Sequence, residues 1–128
     1  MASDFTGKCA AVTGSSGIGL DAGLHLARCG AKVFLGGVDP NLNKKAGELA
    51  ATEELDVSIH QVDLTDESSV RVWLELVANE TNELHALVNA AGLQTYGTTE
   101  NTTPEEWDQC VNINLRSCYL TSHIFYPL

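Results

Sequence analysis

Basic residues are scarce in this 128-residue chain, which has seven Lys and Arg against 17 Asp and Glu. A formal net charge of −10 follows from that imbalance. Proteins that bind the phosphate backbone of nucleic acids need clustered Lys and Arg, so the composition argues against a nucleic-acid partner. Most of the acidic residues lie between Glu48 and Asp108, where we expect them on the solvated faces of helices.

Long hydrophobic runs are also missing, and the N-terminus lacks the basic lead and apolar stretch of a secretory leader. The longest apolar runs are far shorter than the ~20 residues that a membrane-spanning helix needs. We therefore expect no membrane partner and a cytoplasmic protein. Hydrophobic residues make up 44% of the chain and charged residues 19%, which is typical of a soluble globular domain.

Close spacing of metal-binding or redox-active residues is absent as well. The four cysteines are Cys9, Cys29, Cys110 and Cys118, and none forms a Cys-x-x-Cys pair. The four histidines do not place two side chains on one face with a carboxylate, so no metal site is predicted. Cys9 and Cys29 lie in apolar patterns, where we expect buried free thiols in a reducing compartment.

What the sequence does contain is a glycine-rich turn, Gly14-Ser15-Ser16-Gly17-Ile18-Gly19, between a short apolar run and a helical pattern. Glycines let the backbone approach a phosphate, and the N-terminus of the following helix adds unpaired N–H groups and a positive dipole. The spacing Gly-x-x-Gly-x-Gly differs from the more familiar Gly-x-Gly-x-x-Gly. The turn therefore predicts a phosphate site, and a tight strand–helix turn without a ligand is the alternative.

Apolar strand-like runs alternate with helical patterns along the whole chain. This alternation predicts an α/β fold with a doubly wound parallel sheet, about four strands and helices on both faces, in a single domain over residues 1–128. The predicted strands are 8–13, 31–36, 56–62 and 84–89. The predicted helices are 18–29, 40–54, one that begins after Thr65 or Asp66, and one from 104 towards the chain end with a break near Asn112.

Local signals support the helix boundaries and part of the core. Asp39-Pro40 predicts an N-cap with proline in the first turn, and Thr103 with Glu106 predicts a capping box. Val70, Trp73 and Val77 recur at helical spacing, as a core stripe does. The last helix is apolar almost all round, and we expect it to be buried.

Small and polar residues follow the predicted strands: Thr13-Gly14, Gly36-Gly37, Asp63 and Asn89. In a doubly wound sheet the ligand lies beyond the carboxyl ends of the strands, where the strand order reverses. These four positions therefore predict one binding site at that edge of the sheet.

The order and spacing of four motifs resemble the N-terminal half of a short-chain dehydrogenase/reductase. The motifs are Thr13-Gly14-Ser15-Ser16-Gly17-Ile18-Gly19, Val62-Asp63-Leu64-Thr65, Asn89-Ala90-Ala91-Gly92, and Trp107-Asp108 leading to Asn112-Ile113-Asn114-Leu115. The resemblance implies a Rossmann-like fold that binds NAD or NADP. It also implies hydride transfer between the nicotinamide and a small-molecule carbonyl or alcohol.

The resemblance assigns roles to individual residues. The pyrophosphate would be bound by the glycine turn, Gly14, Ser15, Ser16, Gly17, Ile18 and Gly19. The adenine would be bound by Asp63 and Leu64. The cofactor ribose would lie near Asn89, Ala90, Ala91 and Gly92. Asn114 would be an accessory catalytic residue that holds a water in a proton relay. Two alternatives stay open, since Asp63 is also a plausible helix-capping turn residue and Asn114 a polar break in a buried helix.

Three positions depart from the family pattern near the cofactor. The glycine turn has two residues between its first two glycines, where the family has three. Gly37 stands where an acidic residue would bind the adenosine ribose, and Asp39 is either its substitute or only a helix cap. No Lys or Arg is present at Ser16 or Val38 to meet a 2′-phosphate, so NAD is weakly favoured over NADP. His85 replaces a residue that is more often acidic, and we expect it to be partly exposed.

The family's Tyr-x-x-x-Lys pair is not found in these 128 residues, because no tyrosine is followed four positions later by lysine. We therefore expect a fragment truncated before a fifth strand and inactive alone, which self-associates through its last helix or open sheet edge. A non-catalytic nucleotide-binding or interaction module and an inert truncated product are the alternatives. The substrate cannot be inferred from these residues.

Overall fold

A computed structural model describes residues 4–128 of the chain. Four strands are present: β1 (Cys9–Thr13), β2 (Lys32–Gly37), β3 (Val57–Gln61) and β4 (Ala86–Asn89). The α-helices are α1 (Gly17–Arg28), α2 (Pro40–Thr52), α3 (Glu67–Ala78), α4 (Pro104–Val111) and α5 (Ser117–Phe125). A π-helical segment, Asn112–Arg116, joins α4 to α5.

The four strands form one parallel sheet in the order β3-β2-β1-β4. Strand β1 pairs with β2 on one side, in the register Thr13 to Gly36, and with β4 on the other, in the register Thr13 to Asn89. From β1 the chain passes to β2 and then β3 on one side of the sheet, and β4 later pairs on the other side of β1. The reversal of strand order at β1 and β4 confirms the predicted doubly wound α/β fold.

Alternate residues of the central strands supply two hydrophobic clusters on opposite faces of the sheet. Ala11 and Phe34 pack against the apolar sides of α3 and α5, while Val12 and Val33 pack against α1. Such burial of both faces is why the central strands read as continuous apolar runs. Val70, Trp73 and Val77 are fully buried, which confirms the predicted core stripe.

Side chains cap three helices at the predicted positions. Asp39 accepts hydrogen bonds from the backbone N–H groups of Asn41 and Leu42 at 2.8 and 3.1 Å, and Asp66 accepts one from Ser68 at 3.0 Å. Thr103 and Glu106 form the predicted capping box. Gly30 ends α1 with φ of +100°, a left-handed conformation that favours glycine.

The break near Asn112 is the π-helical segment, but the prediction of an all-round buried last helix is wrong. Trp107, Leu115 and Tyr119 are 65%, 68% and 61% exposed, whereas Leu120, Ile124 and Phe125 are buried. The difference arises because only one side of α5 faces the sheet and α3. Self-association of this helix stays a prediction.

Two smaller expectations about side-chain exposure are decided by packing. Cys9 and Cys29 are half-buried free thiols rather than fully buried ones. The His85 side chain is 24% exposed, as expected.

Across residues 4–128, no helix is both long and apolar enough to cross a bilayer.

His60 predicts a pH dependence of stability. Burial of its imidazole lowers its pKa from the ordinary 6.5, and the nearby carboxylate of Glu80 only partly opposes this. The unfolded chain therefore binds more protons than the folded chain at weakly acid pH. We expect the free energy of unfolding to be highest above the ordinary pKa and to fall as the pH drops from about 7 to about 5.

Urea unfolding at several pH values tests this dependence. Replacing His60 by Gln should flatten the profile over that range, because the other lowered pKa values belong to carboxyl groups whose ordinary values are 4.5 or below. An unchanged slope in His60→Gln would contradict the assignment.

Candidate functional site

A cavity of about 980 Å³ opens beyond the carboxyl ends of the strands, where the strand order reverses. Its volume lies at the upper end of the ~300–1,000 Å³ typical of small-molecule sites. The following predicted site residues line it: Gly14, Ser15, Ser16, Gly17, Ile18, Gly37, Asp63, Leu64, Ala90, Ala91 and Gly92. The sheet thus brings together segments that are far apart in sequence.

Helix α1 points an uncapped N-terminus into this cavity. Ser16 is its N-cap residue but makes no side-chain capping hydrogen bond, and its first turn carries no acidic residue. Helices α2, α3 and α4, in contrast, each begin on a capping side chain. Because the first N–H groups of a helix have no intrahelical acceptor, those of α1 are available to an anion in the cavity.

Glycine is required in the turn at Gly14 and Gly19 for different reasons. Gly14 has φ of +96°, which an L side chain rarely adopts. A Cβ on Gly19 would lie 2.5 Å from the carbonyl oxygen of Gly14 and 2.7 Å from that of Thr13. Gly19 does not line the cavity, so its place is beneath the loop, where it allows α1 to pack against the end of β1.

Asp63 follows β3 and faces the cavity with one carboxylate oxygen already engaged. Its Oδ1 accepts hydrogen bonds from the N–H and the hydroxyl of Thr65, at 2.9 and 2.7 Å. The cap of α3 is Asp66, so Asp63 shapes the turn before the helix rather than capping it. Within residues 4–128, Oδ2 of Asp63 makes no hydrogen bond and is available to a donor.

Thr13 connects β1 to the segment after β4, a role that the sequence analysis missed. Its buried hydroxyl oxygen accepts hydrogen bonds from the backbone N–H groups of Ala90 and Ala91, both at 3.0 Å. The Ala90-Ala91-Gly92 wall of the cavity is thereby held against Gly14. In the sequence, the signal for this role is the position of Thr13 at the end of a predicted strand.

Asn89 and Asn114 do not line the cavity. Oδ1 of Asn89 accepts a hydrogen bond from the Thr121 hydroxyl at 2.5 Å, and its amide lies 3.3 Å from the Ser122 hydroxyl. Asn114, in the π-helical segment, accepts from the N–H of Leu93 at 2.8 Å and donates to its carbonyl at 2.7 Å. Both side chains therefore anchor the α4–α5 region to the end of β4 and the following loop.

At the β2 end of the cavity, Gly37 lies beside Asp39. The Asp39 carboxylate caps α2 through Oδ1 only and also lines the cavity, so capping does not use its second oxygen. Both interpretations of Asp39 from the sequence are therefore compatible with its position.

The described residues that line the cavity are either acidic or uncharged. They include Asp39, Asp63, Glu105 and Asp108, and none of them is Lys or Arg. An anionic ligand would therefore be bound by backbone N–H groups and the α1 dipole rather than by a cationic side chain. In the part of the chain that the structure describes, no three His, Cys, Asp or Glu side chains group as metal ligands.

Comparison with known proteins agrees with this architecture. The sequence profile of the short chain dehydrogenase family matches residues 8–128. A D-beta-hydroxybutyrate dehydrogenase of Cupriavidus necator is 33% identical over 124 residues, covering 96% of this chain and 48% of that protein. A cyclopentanol dehydrogenase of Comamonas testosteroni is 33% identical over 123 residues, covering 94% and 49%.

Solved structures give the same result. The citronellol catabolism dehydrogenase AtuB of Pseudomonas aeruginosa PAO1 superposes with a TM-score of 0.91 at 26% identity, covering 99% of this chain and 52% of that one. Apo LigO from Sphingobium sp. strain SYK-6 gives a TM-score of 0.92 at 25% identity, covering 97% and 47%.

The chain thus spans about half the length of these relatives, and 28% of a short chain dehydrogenase, tazN, from Aspergillus terreus. The family generally uses NAD or NADP in oxidoreductase reactions. With a profile match over nearly its whole length, the chain belongs to the short chain dehydrogenase family.

Proposed function

We propose that this chain binds NAD(H) in the strand-end cavity and is the cofactor-binding part of an oxidoreductase that interconverts a carbonyl and an alcohol. The observation that carries the proposal is the uncapped N-terminus of α1, which opens onto a cavity large enough for a dinucleotide. The nicotinamide, when bound, supplies the hydride acceptor or donor of that reaction.

The glycine turn would bind the pyrophosphate. N–H groups of Gly17 and Ile18, which line the cavity, have no intrahelical acceptor and lie at the positive end of the α1 dipole. The positive φ of Gly14 and Gly17 directs the backbone of the turn without a Cβ in the way. Since no cationic side chain lines the cavity, these N–H groups would carry most of the phosphate recognition.

The adenosine end would be recognised by carboxylate oxygens. Oδ2 of Asp63 is free to accept from the adenine amino group, with Leu64 beside it. The second oxygen of Asp39 would accept from a ribose hydroxyl. A 2′-phosphate would meet the Asp39 carboxylate and no Lys or Arg in the described lining, which favours NAD over NADP.

Ala90, Ala91 and Gly92 would form the wall beside the nicotinamide half of the cofactor. Thr13 fixes the first two through their N–H groups, and Asn114 fixes the loop that follows through Leu93. Asn114 would act as an accessory residue for proton transfer, holding water close to the end of β4.

Titration of the purified chain with NADH and with NADPH, followed by nicotinamide fluorescence, tests the proposal. We expect saturable binding of NADH, with NADPH at least about tenfold weaker because of the unfavourable acidic environment of its 2′-phosphate. Failure to bind either nucleotide would overturn the proposed function. Tighter binding of NADPH would overturn only the choice of cofactor.

A second candidate is a nucleotide-binding module without catalysis of its own. The observation that favours it is that no tyrosine in the 128 residues precedes a lysine by four positions. The two candidates differ in turnover. A purified chain that binds NADH but reduces no carbonyl compound would match the second, whereas steady turnover would exclude it.

A further inference from the structure

Because Gly37 has no side chain, two oxygen atoms from other segments lie where its Cβ would be. A Cβ at this position would lie closer than 3.0 Å to both Ser15 Oγ and Asn43 Oδ1. An acidic residue therefore cannot stand at Gly37 unless Ser15 and Asn43 both move. The short glycine turn and the absent acid are thus linked, because Ser15 of that turn fills the space where the acid would begin.

Asn43, in the first turns of α2, is held in one orientation by its amide nitrogen. Nδ2 donates to the carbonyl oxygen of Gly37 and to Oε1 of Gln61, both at 2.9 Å. Gln61 in turn donates to the carbonyl of Val38. With both amide protons engaged, the carbonyl oxygen Oδ1 is directed to the other side, towards Gly37 and Ser15.

Oδ1 of Asn43 has no hydrogen-bond partner, although it is completely buried and the residue is only 8% exposed. A buried carbonyl oxygen without a donor is unfavourable and uncommon in folded proteins. The Ser15 hydroxyl, which adjoins the same point, lines the cavity and makes no hydrogen bond within residues 4–128. A hydroxyl both accepts and donates, so it can connect a ligand to the buried oxygen.

We infer that Ser15 and Asn43 form a relay that recognises a free ribose hydroxyl of the adenosine half of the cofactor. The ribose hydroxyl donates to Ser15 Oγ, and the Ser15 hydroxyl donates to Asn43 Oδ1. Asn43 is a positioning residue, because it orients the Ser15 proton away from the ligand and leaves an acceptor facing it. The inference rests on the proposed nucleotide binding, and it assigns the role of the absent acid to two neutral side chains.

This relay complements the Asp39 carboxylate rather than replacing it. Asp39 is exposed at the start of α2 and lines the cavity, whereas Ser15 and Asn43 are buried beside Gly37. A ribose with two free hydroxyl groups can use two separate acceptors. A ligand lacking one hydroxyl would leave the relay without its donor.

Binding of ADP, 2′-deoxy-ADP and 3′-deoxy-ADP in competition with NADH tests the relay. For the unaltered chain we expect ADP to bind about five- to twentyfold more tightly than one of the two deoxy analogues, the range of one hydrogen bond. In Ser15→Ala and in Asn43→Leu, ADP should bind only as tightly as that analogue does. The affinity of the two variants for the analogue itself should fall by less than about twofold.

This comparison separates recognition from a merely structural effect, because distortion of the site would weaken ADP and the deoxy analogue alike. Thr52→Ala, a polar-to-apolar change on the same helix, is the matched control and should keep the ribose preference. Asn43→Leu loses two structural hydrogen bonds, so a thermal melt accompanies it. If it does not fold, Ser15→Ala decides alone, since alanine adds no atoms.

The outcomes distinguish the relay from the proposed function. Equal affinity of the unaltered chain for ADP and both deoxy analogues would overturn the relay while leaving nucleotide binding intact. Equal loss for ADP and the analogues in Ser15→Ala would overturn it too. Binding of neither NADH nor ADP would overturn the proposed function together with the relay.

Discussion

Replacing Gly19 by alanine is expected to lower the affinity for NADH at least about tenfold and to destabilise the fold by about 1–3 kcal/mol. The added Cβ would lie 2.5 Å from the carbonyl oxygen of Gly14 and 2.7 Å from that of Thr13, both backbone atoms with little freedom to move. The turn must open or α1 must shift. Either movement takes the N–H groups of the α1 N-terminus away from the proposed position of the pyrophosphate.

Gly23→Ala is the matched control, on the same helix one turn later. Its Cβ would approach Leu35 Cδ1 at 3.1 Å, and a side-chain methyl group can move where a backbone carbonyl cannot. Alanine also favours the helix by about 1 kcal/mol over glycine. NADH titration and urea unfolding of both variants provide the test. Comparable NADH affinity in the Gly19 and Gly23 variants would contradict the role given to the close approach at Gly19.

Replacing Trp73 by alanine should cost about 3–5 kcal/mol of stability, a large part of the ~5–15 kcal/mol that holds a domain of this size together. Trp73 is fully buried. Its indole packs across Gly36 of β2, where the ring would lie 2.9 Å from an added Cβ, and meets Phe125 of α5 edge-on at 4.9 Å between ring centres. Its removal leaves a cavity between the sheet and two helices.

Trp107→Ala is the control for Trp73, because it removes the same side chain from a position that is 65% exposed. We expect a change within about 1 kcal/mol there. Trp73→Phe should cost less than Trp73→Ala, since the phenyl ring refills part of the cavity that alanine leaves empty. Urea denaturation measures all three. Equal loss in the Trp73→Ala and Trp107→Ala variants would contradict the packing of Trp73.

Local features of the fold were predictable because their determinants are adjacent in sequence. Asp39 with Pro40 and Thr103 with Glu106 form caps from residues within one helical turn, and the structure has both. Strand boundaries were less accurate. The fourth strand was predicted from Leu84 but begins at Ala86, since pairing with β1 rather than hydrophobicity determines its start.

The candidate site was predictable in outline and not in its contacts. The strand-end rule located Gly14, Gly37 and Asp63 on one edge, and all three line the cavity. The roles of Thr13 and Asn43 were missed because their partners lie in other segments, Ala90 and Ala91 for Thr13 and Gln61 for Asn43. Periodicity and spacing carry no information about such distant hydrogen bonds.

The sequence by itself determined the alternation of strands and helices, the glycine turn and the family to which the chain belongs, because each depends on residue types in a fixed order. Only the tertiary structure decided that α1 begins uncapped above a cavity and that Ser15 and Asn43 occupy the space beside Gly37. The physical reason is that parallel pairing brings distant strand ends within a few ångströms. The glycine turn, a phosphate motif in the sequence, also places Ser15 beside Asn43 and Gly37 in the structure, where we propose that it recognises a ribose hydroxyl.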